Sequence, residues 1–208
     1  MDKKLKRRIL LRLAAIELPC CKKAFIKALL SMGDINHSLV CDHSARIALL
    51  AEQVSKKFKM DTKATFLAGL LHDVGKLVIN PELFSGRNIN MLEYSEVKRH
   101  VDHVFAILGN ELLFTAIVSS LHHAMYKNGY GMQLSDCPIK LSPATWGKIL
   151  DIATLISICD HVEAAMHRTT TQIGSSEKSL RDSLIEKYPA KQLYIDAVLK
   201  IARRKKWL

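Results

Sequence analysis

Apolar residues recur along this chain three and four positions apart, and no stretch alternates with the period of two that a half-buried strand requires. Leu5, Ile9, Leu13 and Ile16 share one face, while Lys6, Arg7 and Arg12 lie elsewhere. This predicts an amphipathic helix over 3–17, ended by Pro19. A second basic stretch over 20–32 closes at Gly33-Asp34. Asn36 is placed to cap a long helix through about Lys59, in which Ile47, Leu50 and Val54 recur. Asp61 caps the next helix, which carries Phe66, Leu67, Leu70 and Leu71 and ends near Gly75. Pro81 and Gly86 mark a loop. Asn90 caps a helix over about 91–108, Gly109-Asn110 breaks it, and an apolar helix follows over about 111–124. Residues 127–146, with Gly129, Gly131, Pro138 and Pro143, form the one long irregular stretch, and such a segment in a compact domain is often functional. Helices resume over about 147–167, 176–187 and 190–205. The expected fold is all-α, a compact multi-helix bundle over 34–208 with a basic helical extension over 1–33.

Composition agrees with that picture. Hydrophobic residues make up 49% and charged residues 25% of the 208 positions, the balance of a soluble globular protein. No stretch approaches the roughly 20 uncharged apolar residues of a membrane helix. The start resembles a signal peptide, basic and then Ile9-Leu10-Leu11, but Arg12 and Glu17 interrupt the apolar segment. Five cysteines, with Cys20 and Cys21 adjacent and no CxxC spacing, suit reduced thiols in a cytoplasmic protein. The formal charge of +11 sits at the ends: residues 1–30 carry +7, residues 196–208 carry +4, and the centre is neutral. A neutral centre argues against a surface that wraps nucleic acid. The basic ends serve solubility, or they contact an anionic partner such as lipid, acidic protein or RNA. The string Arg203-Arg204-Lys205-Lys206-Trp207-Leu208 sets an aromatic beside charge, which suits such a contact. The sequence leaves a homodimer open.

The polar residues that interrupt apolar faces are the candidates for chemistry. His43 lies in the long helix, and His72 and Asp73 follow Leu70-Leu71. His100 and His103 lie one turn apart, His122 and His123 end a helix, and Asp160 follows Ile156-Ser157-Ile158-Cys159. A buried charge needs a partner or a metal. Imidazoles and carboxylates donated by several helices are how bundles build dinuclear sites. For any one of these residues, a hydrogen-bonded core histidine or a surface position is the commoner explanation, and no HExxH or CxxC decides between the two.

The ordered strings resemble the HD-domain metal-dependent phosphohydrolases, in particular the HD-GYP branch. His43-Ser44-Ala45-Arg46-Ile47-Ala48 is similar to its HSxRVA start, and Leu70-Leu71-His72-Asp73-Val74-Gly75-Lys76-Leu77 to its LLHDIGKL segment. Val97-Lys98-Arg99-His100 resembles its next histidine segment, Leu121-His122-His123 its HHE start, Asn128-Gly129-Tyr130-Gly131 its GSGYP loop, and Asp160-His161-Val162-Glu163-Ala164 its DxxDA motif. The resemblance runs through about 37–170. It departs at Ala124 in place of Glu, at Gly131 in place of Pro, and at Leu39, where trinuclear members place a Glu ligand.

The resemblance implies two divalent transition metals, Fe or Mn. One would be held by His43, His72, Asp73 and Asp160. Asp73 would bridge to the second, held also by His100, His122 and His123. It implies hydrolysis by a metal-activated hydroxide, with Asp73 and Lys76 as catalytic residues and Lys76, Arg46 and Tyr130 contacting substrate. The expected substrate is a phosphate-containing small molecule, first a cyclic dinucleotide of the cyclic di-GMP type. The alternatives are a nucleotide or other phosphomonoester, or a scaffold of the HD type that signals without catalysis. His37, His161 and His167 are expected to be structural or exposed, and His103 is not expected to be a ligand.

Overall fold

Two helices form the centre of the molecule: α3 (Ser38–Lys57) and α4 (Thr62–Leu71). In the computed structural model, which describes residues 1–137, 139–167 and 177–204, they lie between two layers of apolar packing. On one side α1 (Lys3–Ala15) and α2 (Cys20–Asn36) press Leu5, Ile9, Leu13, Ile16 and Ile26 against Ala45, Phe66, Leu67 and Leu70. On the other side α7 (Leu113–Leu121), α8 (Pro143–His167) and α10 (Gln192–Arg204) close over Ile47, Leu50, Val54 and Ala68. The helices α5 (Met91–Lys98), α6 (His100–Leu108) and α9 (Glu177–Lys187) complete the bundle, and no strand occurs among the described residues. Residues 65–71 of α4 are all buried, which is why that helix is apolar on every side. No described helix is long and apolar enough to cross a membrane. The end of the C-terminal basic string, residues 205–208, lies outside the described residues, as does Pro138.

Local signals explain most helix ends. Asp61 accepts from the Ala64 amide at 2.9 Å, and Asn90 and Glu93 form a reciprocal capping box. Pro143 opens α8 earlier than the apolar pattern predicts, as a first-turn proline can, since it lacks an N–H that would be unpaired there. Other predicted ends differ as well: α4 stops at Leu71 instead of near Gly75, with a separate turn over Val74–Val78 after it. Gly33-Asp34 does not stop α2, which runs on to Asn36, so His37 rather than Asn36 takes the position before α3. Gly33 is a packing residue: a Cβ there would stand 2.4 Å from Cys41 Sγ. The helix predicted over 91–108 breaks at Arg99 into α5 and α6, which sets His100 at the start of a new helix.

The basic N-terminal segment is ion-paired to its neighbours. Lys6 Nζ lies 2.5 Å from Asp34, and Arg12 donates to the mostly buried Glu52 of α3 at 2.6 Å. The predicted boundary at 33/34 falls inside α2.

Candidate metal centre

Breaks in the helices put histidines where their rings turn inward. His72 follows the last residue of α4, His100 opens α6 after the break at Arg99, and His122 follows α7. At a helix C-terminus the last carbonyls have no intrahelical partner. Each of these rings takes one of them: His72 Nδ1 donates to Gly69 O at 2.9 Å, His100 Nδ1 to Val97 O at 2.7 Å, and His122 Nδ1 to Ser119 O. A proton held at Nδ1 leaves Nε2 as a free lone pair facing the interior.

Two donor groups that share no residue result, and a third set, His72, Asp73 and His122, links them. The ligand atoms of His43, His72 and Asp160 lie within 4.8 Å of one another, as do those of His100, His122 and His123. Asp73 stands between them. Its Oδ2 is 3.3 Å from His72 Nε2 and 3.6 Å from His43 Nε2, and its Oδ1 is 3.2 Å from His100 Nε2. His43 Nε2 is 3.0 Å from Asp160 Oδ1. All seven residues singled out as candidate ligands thus converge on one interior point from α3, α4, α6, α7 and α8 and the turns that follow them.

Two glycines let the backbone close around this point. Gly75 packs the turn after Asp73 directly on the backbone of His100, and Gly129 packs the loop on the carbonyl of His123. The Tyr130 amide donates to that same carbonyl at 3.1 Å, and the Tyr130 ring stacks on His123 with centroids 4.4 Å apart. Lys76, in the turn Val74–Val78, reaches back to Asp73 Oδ2 at 2.5 Å. Arg46, one turn after His43, does not point its Nε at the donor groups but donates to Glu163 at 2.5 Å.

Glu163 went unassigned in the sequence although it sits in the Asp160 string. Its side chain is only 3% exposed, and its second oxygen accepts from His43 Nδ1. The signal was present: an acid three residues after Asp160, on the same side of an apolar helix. The remaining histidines lie apart from both donor groups. His103 is half-buried, His37 meets the edge of Phe84, His161 packs against Tyr126 and Tyr188, and His167 Nε2 is 3.8 Å from Glu163.

Electrostatics suits cation binding. Burial holds His100 down to about 4 and His123 to about 3, and it holds His122 well below the usual imidazole range, so these rings are neutral. Burial also works against the charge on Asp73, but His72 and Lys76 outweigh it and keep the carboxyl ionised. Burial alone would lower His43; hydrogen bonds to Asp160 and Glu163 overcome it and raise the ring to about 9. The fit to a metal can be tested on the partners themselves. The Nε2 atoms of His72, His100 and His122, Nδ1 of His123 and Oδ1 of Asp73 are buried without a hydrogen-bond partner. Buried polar atoms are rarely left so. Mixed imidazole and carboxylate donors fit first-row transition metals.

A family model described as HDOD domain matches residues 16–105. No curated protein and no solved structure matches the chain. The matched stretch contains His43, His72, Asp73, Lys76 and His100, while His122, His123, Tyr130 and Asp160 lie beyond it. Over the matched residues, which are less than half of the chain, it is similar to the HDOD family.

Proposed function

We propose that this chain is a metal-dependent phosphohydrolase of the HD type, with two divalent transition metals, Fe or Mn, held in its two donor groups. His43, His72 and Asp160 would hold one, His100, His122 and His123 the other, and Asp73 would serve both through its two oxygens. The observation that carries the reading is the set of orphaned nitrogens. Three imidazoles spend Nδ1 on a backbone carbonyl and leave a buried Nε2 without a hydrogen-bond partner, two of them beside the Asp73 carboxylate.

When bound, such a metal pair supplies Lewis acidity toward a phosphoryl oxygen and lowers the pKa of water. The chain's own residues do the rest. Lys76 Nζ, at the rim and 14% exposed, would meet a phosphoryl oxygen and offset the charge that develops as the ester bond breaks. Tyr130 holds the His123 ring by stacking and offers an aromatic face to the substrate. Arg46 would bring a second positive charge near the phosphate, steadied by Glu163. The expected substrate is a cyclic dinucleotide of the cyclic di-GMP type, as the HD-GYP-like strings suggest, with nucleotides or other phosphomonoesters next.

A second reading has its own support. The matching family is HDOD, whose members are often non-catalytic, so the fold would serve as a signalling scaffold. Elemental analysis of protein purified without chelator, beside Asp73→Ala, separates the two. About two transition metals per chain, falling sharply in the variant, followed by hydrolysis of a cyclic dinucleotide or a phosphomonoester, supports the enzyme. Protein that takes up neither Mn nor Fe sinks it in favour of the scaffold.

A further inference from the structure

Four of the candidate ligand histidines have an Nδ1 contact, and they divide into three and one. His72, His100 and His122 find their acceptor in the last turn of a helix, where carbonyls are free. His43 sits inside the twenty-residue α3, where each carbonyl already accepts from the amide four residues on. Its Nδ1 does not turn back on a local carbonyl. The acceptor comes instead from α8, 120 residues away in sequence: Glu163 Oε2.

Glu163 is suited to that task. It is buried, and its other oxygen accepts from Arg46 Nε at 2.5 Å, so neither lone-pair side is idle and its charge is balanced. Asp160 and Glu163 lie one turn apart on α8, as His43 and Arg46 do on α3. The two pairs mesh so that Asp160 meets His43 Nε2 while Glu163 meets His43 Nδ1. We infer that Glu163 is the positioning residue of the first donor group, turning His43 Nε2 toward the metal shared with His72 and Asp160. The inference rests on the metal reading above. A carboxylate on the far nitrogen of a ligand histidine fixes its ring and raises its basicity, and its loss weakens the metal by about 10–100-fold.

The test titrates metal-free protein with Mn2+ and reads stoichiometry and affinity by competition with a chromophoric chelator. Glu163→Gln keeps the size of the side chain but can present an oxygen to only one of its two partners. The expected result is two equivalents in the wild type and, in Glu163→Gln, one of them weakened at least about tenfold with the other unchanged. Melting of the metal-free proteins separates positioning from folding, because a purely structural Glu163 would lower the melting temperature and leave the two affinities alone. Should Glu163→Gln fail to fold, Glu163→Asp retains the carboxylate one methylene further off, and a selective loss of one equivalent is expected there too. Two unchanged equivalents in the folded variants overturn the inference while leaving the metal reading intact. No uptake by the wild type overturns both.

Discussion

A Cβ built on Gly75 would lie 1.9 Å from the carbonyl oxygen of His100. That distance is far inside van der Waals contact, and the obstacle is backbone, with no flexible tip to swing away. The turn that carries Asp73 and Lys76 therefore touches the first residue of α6 only because position 75 has no side chain. Gly75→Ala should push the turn and α6 apart. The expected cost is about 1–3 kcal/mol, the usual range for an overpacked interior. It should also separate Asp73 from His100, so uptake of the second metal should fall more than that of the first. Thermal melting and metal titration of the variant check both parts; a variant with wild-type melting would show that the two backbones are less tightly apposed than this.

Lys76 offers a way to separate metal binding from chemistry. Its ammonium is 2.5 Å from Asp73 Oδ2, yet Asp73 also faces three imidazoles. Lys76→Met removes a cation beside the metals, which eases charge repulsion. Metal content should therefore hold at the wild-type value. Turnover of a phosphodiester should drop by about 10²–10³-fold, the range for losing a group that stabilises developing negative charge. Steady-state kinetics beside elemental analysis decides it. Loss of metal in parallel with activity would mean that Lys76 holds Asp73 in place and does not meet the substrate.

How much of this was legible in the chain depends on how local each cause is. The amphipathic face Leu5, Ile9, Leu13 and Ile16 is buried as its spacing requires, because period and burial are read from neighbours in sequence. The Asp61 and Asn90 caps are equally local. The break at Arg99 was invisible, since the apolar pattern runs through it, and what rewards the break is His100 turning toward Asp73. Gly33 reads as a stop because glycine usually is one, whereas here its role is set by Cys41 on the next helix. The candidate ligands could be named from strings and their order. Glu163 stands in the same string as Asp160, but its role could not be read there, because its two partners lie 117 and 120 residues away.

Tyr188 tests whether the fold and the site can be uncoupled. It is 1% exposed, and its hydroxyl lies 2.7 Å from Ser157 Oγ and 2.6 Å from His161 Nδ1, both on α8. This places a hydrogen-bonded polar group inside an otherwise apolar layer, one residue along the helix from Asp160. Tyr188→Phe keeps the ring and its packing but leaves Ser157 without that hydroxyl partner, a loss of about 1–2 kcal/mol. For a chain of this size the melting temperature should fall by about 2–4 °C for each kcal/mol. His161 also contacts Ser157 O at 3.1 Å, so the ring keeps an acceptor and α8 keeps its rotation. Metal stoichiometry should then be unchanged. A variant that melts lower and also loses one equivalent would show that the setting of Asp160 and Glu163 depends on this buried hydroxyl, and that α8 is held at the site from behind by Tyr188 as well as by its contacts with His43.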